Sequence, residues 1–249
     1  MEARLEFDIQ PQPDETTCGP TCLHAIYRYF GDEVPLERVI HEVPTVRGGG
    51  TLAVMLGNHA LARGYGATIY TYNLMVFDPT WFVPGVNLRQ KLAAREAFTS
   101  EAKQKKAIRH YVRFLERGGR IRYEDLSRSL LRRFLKRRLP ILTGLSSTYL
   151  YRSMRATEEG RDDDLRGNVE GHFVVLSGYD PVTHRALVAD PYSQNPMAKA
   201  NSYETDLDRV IGAILLGVMT HDANLLIIEP SERSHGARKT YSERRRRSR

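Results

Sequence analysis

Long apolar runs, cysteine and tryptophan are all scarce in this chain. The longest apolar stretch, Val210 to Met219, is about half of the ~20 residues a membrane helix needs. No membrane span is expected. The first ten residues, MEARLEFDIQ, alternate charge with apolarity and lack the continuous apolar core of an export signal. The two cysteines, Cys18 and Cys22, are too few for a disulfide framework or a four-cysteine zinc site. No second Cys/His pair has finger spacing, so neither a metal nor a cofactor is expected. These absences together predict a reducing, cytoplasmic location. No serine stands in a Gly-x-Ser-x-Gly elbow, which disfavours a serine hydrolase. Gly48-Gly49-Gly50 has no strand before it and no Lys-Ser/Thr after it, so it reads as a turn and not a phosphate loop. There is no internal repeat.

What is present suits a globular domain. Hydrophobic residues make up 41% of the 249 and charged residues 27%, which excludes a fibrous chain or global disorder and leaves room for one large core. The net charge of +7 is unevenly spread. Residues 89–138 carry seventeen Lys/Arg against five Asp/Glu, and residues 231–249 carry eight against two. The remainder is acidic. Bulk charge is therefore a poor guide to nucleic-acid affinity here.

Periodicity places the elements. Cys18 to Phe30 reads as a helix, with Leu23, Ile26, Tyr27 and Phe30 at three- and four-residue spacing, Gly31 as its stop and Thr17 as its N-cap. Leu36 to Glu42 and Leu52 to Arg63 read as two further helices, and Ala67 to Tyr72 as a strand. Leu88 to Glu116 forms one long basic amphipathic pattern, broken at Gly118-Gly119. A helix is expected over Tyr123 to Arg138, ended by Pro140. Pro140 to Leu145, His172 to Tyr179, Arg185 to Ala189 and Asn224 to Glu229 read as strands. A polar loop is expected over 156–168, a hairpin turn over Asp180 to His184, and a helix over Asp206 to Val218. From Ser231 onward no apolar periodicity remains, so the tail is expected to be disordered.

Four residues stand out for their chemistry. Gln12 precedes Cys18 by six positions, and Cys18-Gly19-Pro20 opens a helix. His172 opens an apolar strand, and Asp190-Pro191 ends the next one. A cysteine at a helix N-terminus meets unpaired N–H groups and the positive dipole end, which favour thiolate over thiol. An adjacent imidazole completes a nucleophile–base pair, and a carboxylate on its second nitrogen fixes tautomer and orientation. The oxyanion needs two donors, which a backbone N–H and a side-chain amide just before the helix supply.

This pattern resembles the papain-like double-glycine peptidases, the family that trims bacteriocin leader peptides, and its stand-alone relatives. The matching residues are Gln12, Cys18 with Gly19, His172 with Phe173-Val174-Val175, and Asp190 with Pro191. The resemblance covers roughly residues 9–80 and 139–229. It implies an α+β papain-like fold, with an N-terminal helical part starting at the nucleophile and a C-terminal antiparallel sheet. It also implies Cys18 as nucleophile, His172 as general base and acid, Asp190 as its orienter and Gln12 as oxyanion donor. The expected organisation is one peptidase domain over 1–230, with a basic helical insertion at about 88–138 and a basic tail over 231–249. The expected activity is a cysteine peptidase acting on a peptide or protein substrate. An acyl transferase working through the same Cys18 thioester, or a non-catalytic peptide-binding module, are the alternatives left open.

The remaining candidates are weaker. Cys22 lies one turn after Cys18 and reads as a packing residue. Asp180 is the rival orienter, at the far end of the histidine's own strand. His184 is expected in the exposed turn, and His24, His41, His59, His110, His221 and His235 have no recognisable partner. Trp81, in an aromatic run from Phe77 to Phe82, is a candidate substrate-groove wall, as is Gly171 beside the histidine. The Arg244–Arg247 run leaves room only for weak charge contact with an acidic partner, nucleic acid or anionic lipid.

Overall fold

A computed structural model describes residues 3–46, 50–232 and 234. The tail expected to be disordered lies almost wholly outside these residues, as do Gly48, Gly49 and His235.

The chain opens with a two-residue strand, β1 (Ala3–Arg4), and enters helix α1 at Cys18 (Cys18–Tyr29). Helix α1 buries Leu23, Ile26 and Tyr27 completely, each worth about 1.5–3 kcal/mol against exposure. Helices α2 (Leu36–Glu42) and α3 (Ala53–Ala62) follow, then strand β2 (Gly66–Thr71). A 3₁₀ turn at Pro79–Phe82 is capped by Asp78, which accepts from the Thr80 N–H at 2.8 Å.

The basic segment divides where one long pattern was expected. Helix α4 (Leu88–Ala97) ends before Thr99, and α5 (Ala102–Glu116) starts afresh. Next comes strand β3 (Arg120–Arg122), and α6 (Arg128–Lys136) occupies only part of the expected Tyr123–Arg138 helix, because Ser127 caps it by accepting from the Leu130 N–H. The segment is no loose appendage. Ile108 and Phe114 of α5 are fully buried against α3, and β3 pairs in parallel with β2.

The second half supplies β4 (Ile141–Ser146), the short α7 (Ser147–Tyr151), β5 (Gly171–Asp180), β6 (Arg185–Ala189) and β7 (Ser202–Asp206). Helix α8 (Leu207–Leu216) runs into a 3₁₀ turn at Gly217–Thr220, and β8 (Asn224–Glu229) follows. The sheet order is β3-β2-β8-β4-β5-β6-β7, with β1 against the far end of β5. Every pairing but β2–β3 is antiparallel. The fold is thus mixed helix and mostly antiparallel sheet. The sheet is not purely C-terminal, since β1, β2 and β3 come from the first half.

Two packing features place the site. Helix α1 lies on β5, and the Cys22 thiol donates to the Phe173 carbonyl at 3.3 Å. That bond ties the first turns of α1 to the start of β5. Gly19 makes the approach feasible: a Cβ there would come within 2.5 Å of Thr51 Cγ2 and 3.2 Å of the Phe173 ring. Cys22 is fully buried, and burial pushes its thiol pKa well up, with Cys18 and Asp190 adding to the shift. It is a packing residue.

Candidate active site

Cys18 is the first residue of α1 and is 8% exposed, at the wall of a cavity of about 400 Å³. Thr17 stands at the N-cap position, but its hydroxyl turns back to the Asp14 carbonyl at 3.1 Å and caps nothing. Pro20 has no N–H at all. The helix start therefore keeps its first N–H groups, that of Cys18 included, free of any side-chain acceptor among the described residues.

His172 is the second residue of β5 and faces the same cavity. Its Nε2 meets Asp190 Oδ1 at 2.8 Å, which leaves Nδ1 free of that carboxylate, and Cys18 lines the same cavity. Two rings flank the imidazole, Tyr151 at 6.2 Å and Tyr192 at 6.3 Å between centroids. Burial pushes the His172 pKa down, but the Asp190 bond and the negative charges of Asp190 and Cys18 outweigh it, and the imidazole is raised to about 10. The imidazolium form thus persists through neutral pH.

Asp190 follows β6 and is completely buried. Its Oδ1 also accepts the Tyr192 N–H at 2.9 Å, while Oδ2 accepts Tyr151 Oη at 2.7 Å and Tyr203 Oη at 2.9 Å. Burial would raise this carboxyl, yet the bonds from His172, Tyr151 and the Tyr192 N–H hold it below the usual carboxylate range. Asp180, the rival, caps the β5–β6 turn instead, accepting from the Val182 and Thr183 N–H groups. His184 is exposed in that turn, as expected.

Gln12 reaches the site through its backbone. Its N–H donates to the Pro191 carbonyl at 2.8 Å, tying the N-terminal segment to the Asp190 corner. Its Nε2 donates to the Asp14 carbonyl at 2.8 Å, which fixes the amide's orientation. Gln12 lines a second cavity of about 280 Å³ that shares Glu15, Gly171 and His172 with the first. Gly171 sits between the two, and a Cβ there would meet Thr220 Oγ1 at 2.7 Å. Trp81 is not brought here. It packs half-buried against the core from the 3₁₀ turn and lines neither cavity.

Sequence reasoning missed the two tyrosines on Asp190, and also Lys103, His221 and Asp222 along the first cavity. It likewise missed that His59 has partners: buried Tyr27 Oη at 2.8 Å and, at the surface, Glu42 Oε2 at 3.0 Å. Larger hollows of about 560 and 740 Å³ exist, but neither reaches Cys18, so volume does not choose the site.

The chain belongs to the Peptidase_C39-like family, whose model matches residues 4–209. Its enzyme class is that of the cysteine peptidases, which hydrolyse peptide bonds. Among solved structures, it is similar to a double glycine motif protease from an AMS/PCAT transporter in complex with the leader peptide. That match has 16% identity, 92% coverage of this chain, 95% of the other and a TM-score of 0.44. The peptidase domain of Streptococcus ComA, a bi-functional ABC transporter, matches at 11% identity, 91% and 100% coverage and a TM-score of 0.43. A C39-like protein from Bacillus anthracis matches at 13% identity, 92% and 98% coverage and a TM-score of 0.47. No curated protein matches the chain. Among the described residues, no helix is long and apolar enough to cross a membrane.

Proposed function

We propose that Cys18, His172 and Asp190 carry out peptide-bond hydrolysis through a thioester on Cys18. The observation that carries this reading is the position of His172, 2.8 Å from a buried carboxylate and on the wall of the same cavity as Cys18. The Cys18 sulfur attacks the substrate carbonyl carbon, and the carbonyl electron pair moves onto oxygen. On collapse, the C–N bond breaks and the imidazolium gives its proton to the departing amine. Water then attacks the thioester, giving a proton to the neutral imidazole, and Cys18 is released as the acid product departs. Asp190 holds the ring with Nδ1 toward sulfur throughout and stabilises its positive charge. The substrate is a peptide or protein, and the bare Gly171 lets its backbone approach the cleft wall.

Gln12 supplies the second oxyanion donor beside the Cys18 N–H. Only one of its two amide hydrogens is used by Asp14, which leaves the other for the developing charge. Gln12→Ala is expected to lower acylation roughly 10²–10³-fold, the usual loss for one such donor, with the melting temperature unchanged. Stopped-flow hydrolysis of a fluorogenic peptide, paired with thermal melts, checks this. A matching fall in stability would assign Gln12 a structural role.

A further inference from the structure

Lys103 lies in the first turn of α5 and lines the same cavity as Cys18 and His172. The segment that reads as a basic insertion therefore contributes a cation to the cleft. The ammonium is half-buried, and burial pushes its pKa below the ordinary lysine range. A lysine head carries three donors and no acceptor, so lost hydration calls for an acceptor in its place. Among the described residues none hydrogen-bonds or ion-pairs with it.

The two carboxylates that act on Lys103 are already engaged. Asp222 Oδ2 accepts the Ala53 N–H at 2.6 Å, at the start of α3, and its Oδ1 accepts the Asn224 amide. Glu101 meets His221 Nε2 at 3.3 Å. Two neighbouring cations on α5 are satisfied: Lys106 donates to the Thr45 carbonyl at 2.6 Å and Arg109 to Glu96 at 2.6 Å. Of these three cations, Lys103 is the one that faces the cleft.

The other flank of His172 is more acidic. Besides Glu15, which both cavities share, it is lined by Asp162 and Glu170 and by no Lys or Arg side chain. Burial, then Asp162 and Glu15, push the Glu170 carboxyl up. A negative group on the substrate is repelled there and accommodated at Lys103, so the sign of the charge helps to set the direction of the bound chain.

We propose that Lys103 is a specificity-determining residue that receives a carboxylate of the peptide substrate. This inference rests on the reading of Cys18 and His172 as the reacting centre. The carboxylate has two sources, an Asp or Glu side chain or a free C-terminus. A pooled octapeptide library, with Glu or Gln at each position in turn and either an acid or an amide C-terminus, separates them by mass spectrometry of the products. For the preferred position, wild-type kcat/KM is expected to favour the charged peptide about tenfold over its neutral partner at low salt. The gap narrows as ionic strength rises. Lys103→Gln should abolish the preference, Lys103→Arg should keep it, and Lys103→Glu should invert it. The Glu/Gln arm responds if a side chain is read, and the acid/amide arm if the terminus is. An acid/neutral ratio unchanged in Lys103→Gln, or a wild-type ratio of one in both arms, overturns the proposal. Cleavage of the neutral peptide by Cys18→Ala would instead overturn the reading beneath it.

Discussion

Cys18→Ala is expected to cut peptide hydrolysis by on the order of 10⁶-fold, because a nucleophile has no substitute in a covalent mechanism. The fold should survive. Helix α1 is held by Leu23, Ile26 and Tyr27 and by the Cys22 bond to Phe173, none of which involves the Cys18 sulfur. Losing that one atom costs about 1 kcal/mol of packing, a shift of about 2–4 °C in melting temperature for a chain of this size. Initial rates over long incubations with concentrated enzyme measure the first quantity and calorimetry the second. A rate loss under tenfold with the fold intact would remove Cys18 from the mechanism.

Asp190→Asn is the second large effect. Four donors converge on the carboxylate: His172 Nε2, the Tyr192 N–H, Tyr151 Oη and Tyr203 Oη. Asparagine offers one oxygen and turns an NH₂ group toward the remaining donors, leaving buried groups unsatisfied at about 1–3 kcal/mol. It also frees the imidazole to take the wrong tautomer, for which a rate loss of about 10⁴-fold is expected. The pH profile separates the two consequences. In the parent, His172 is raised to about 10 largely by Asp190 and Cys18, so activity declines on the alkaline side as pH rises through that value. Removing the negative charge lowers the imidazole pKa, and the variant's alkaline decline should begin at lower pH. A variant that is less stable but keeps the parent profile would make Asp190 a structural residue only.

Much of the fold is legible wherever one face of an element is buried and the next is wet. Helix α2 and strands β6 and β8 match their expected limits, because their apolar positions recur without interruption. The break between α4 and α5 is not legible, since Phe98, 82% exposed, continues the apolar count without contributing to the core. Strand β3 has three residues and gains its place from pairing with β2, which no local period announces. Strand β7 does alternate, with Tyr203 and Thr205 buried between exposed neighbours, and that signal was available.

The site divides along the same line. The four residues proposed to act, Gln12, Cys18, His172 and Asp190, stand out in the sequence because each is marked by its immediate neighbours: a proline, a helix start, a strand start and an Asp-Pro corner. The tyrosines on Asp190 lie thirteen and thirty-nine positions away from it. Lys103 reaches the cleft from a segment that reads as a solvated basic face. Such contacts are set by topology, which brings α5 and α7 to the edges of the cavity.

The measurement closest to the central claim is selective alkylation of the two thiols. The protein is treated with iodoacetamide at neutral pH, and tryptic peptides are followed by mass spectrometry over time. Cys18, at the wall of the cavity that His172 also lines, should be labelled rapidly. Cys22, fully buried with its thiol donated to the Phe173 carbonyl, should remain unlabelled until the protein unfolds. His172→Ala should slow the Cys18 reaction without exposing Cys22. Equal and slow labelling of both cysteines in the folded protein would contradict the account.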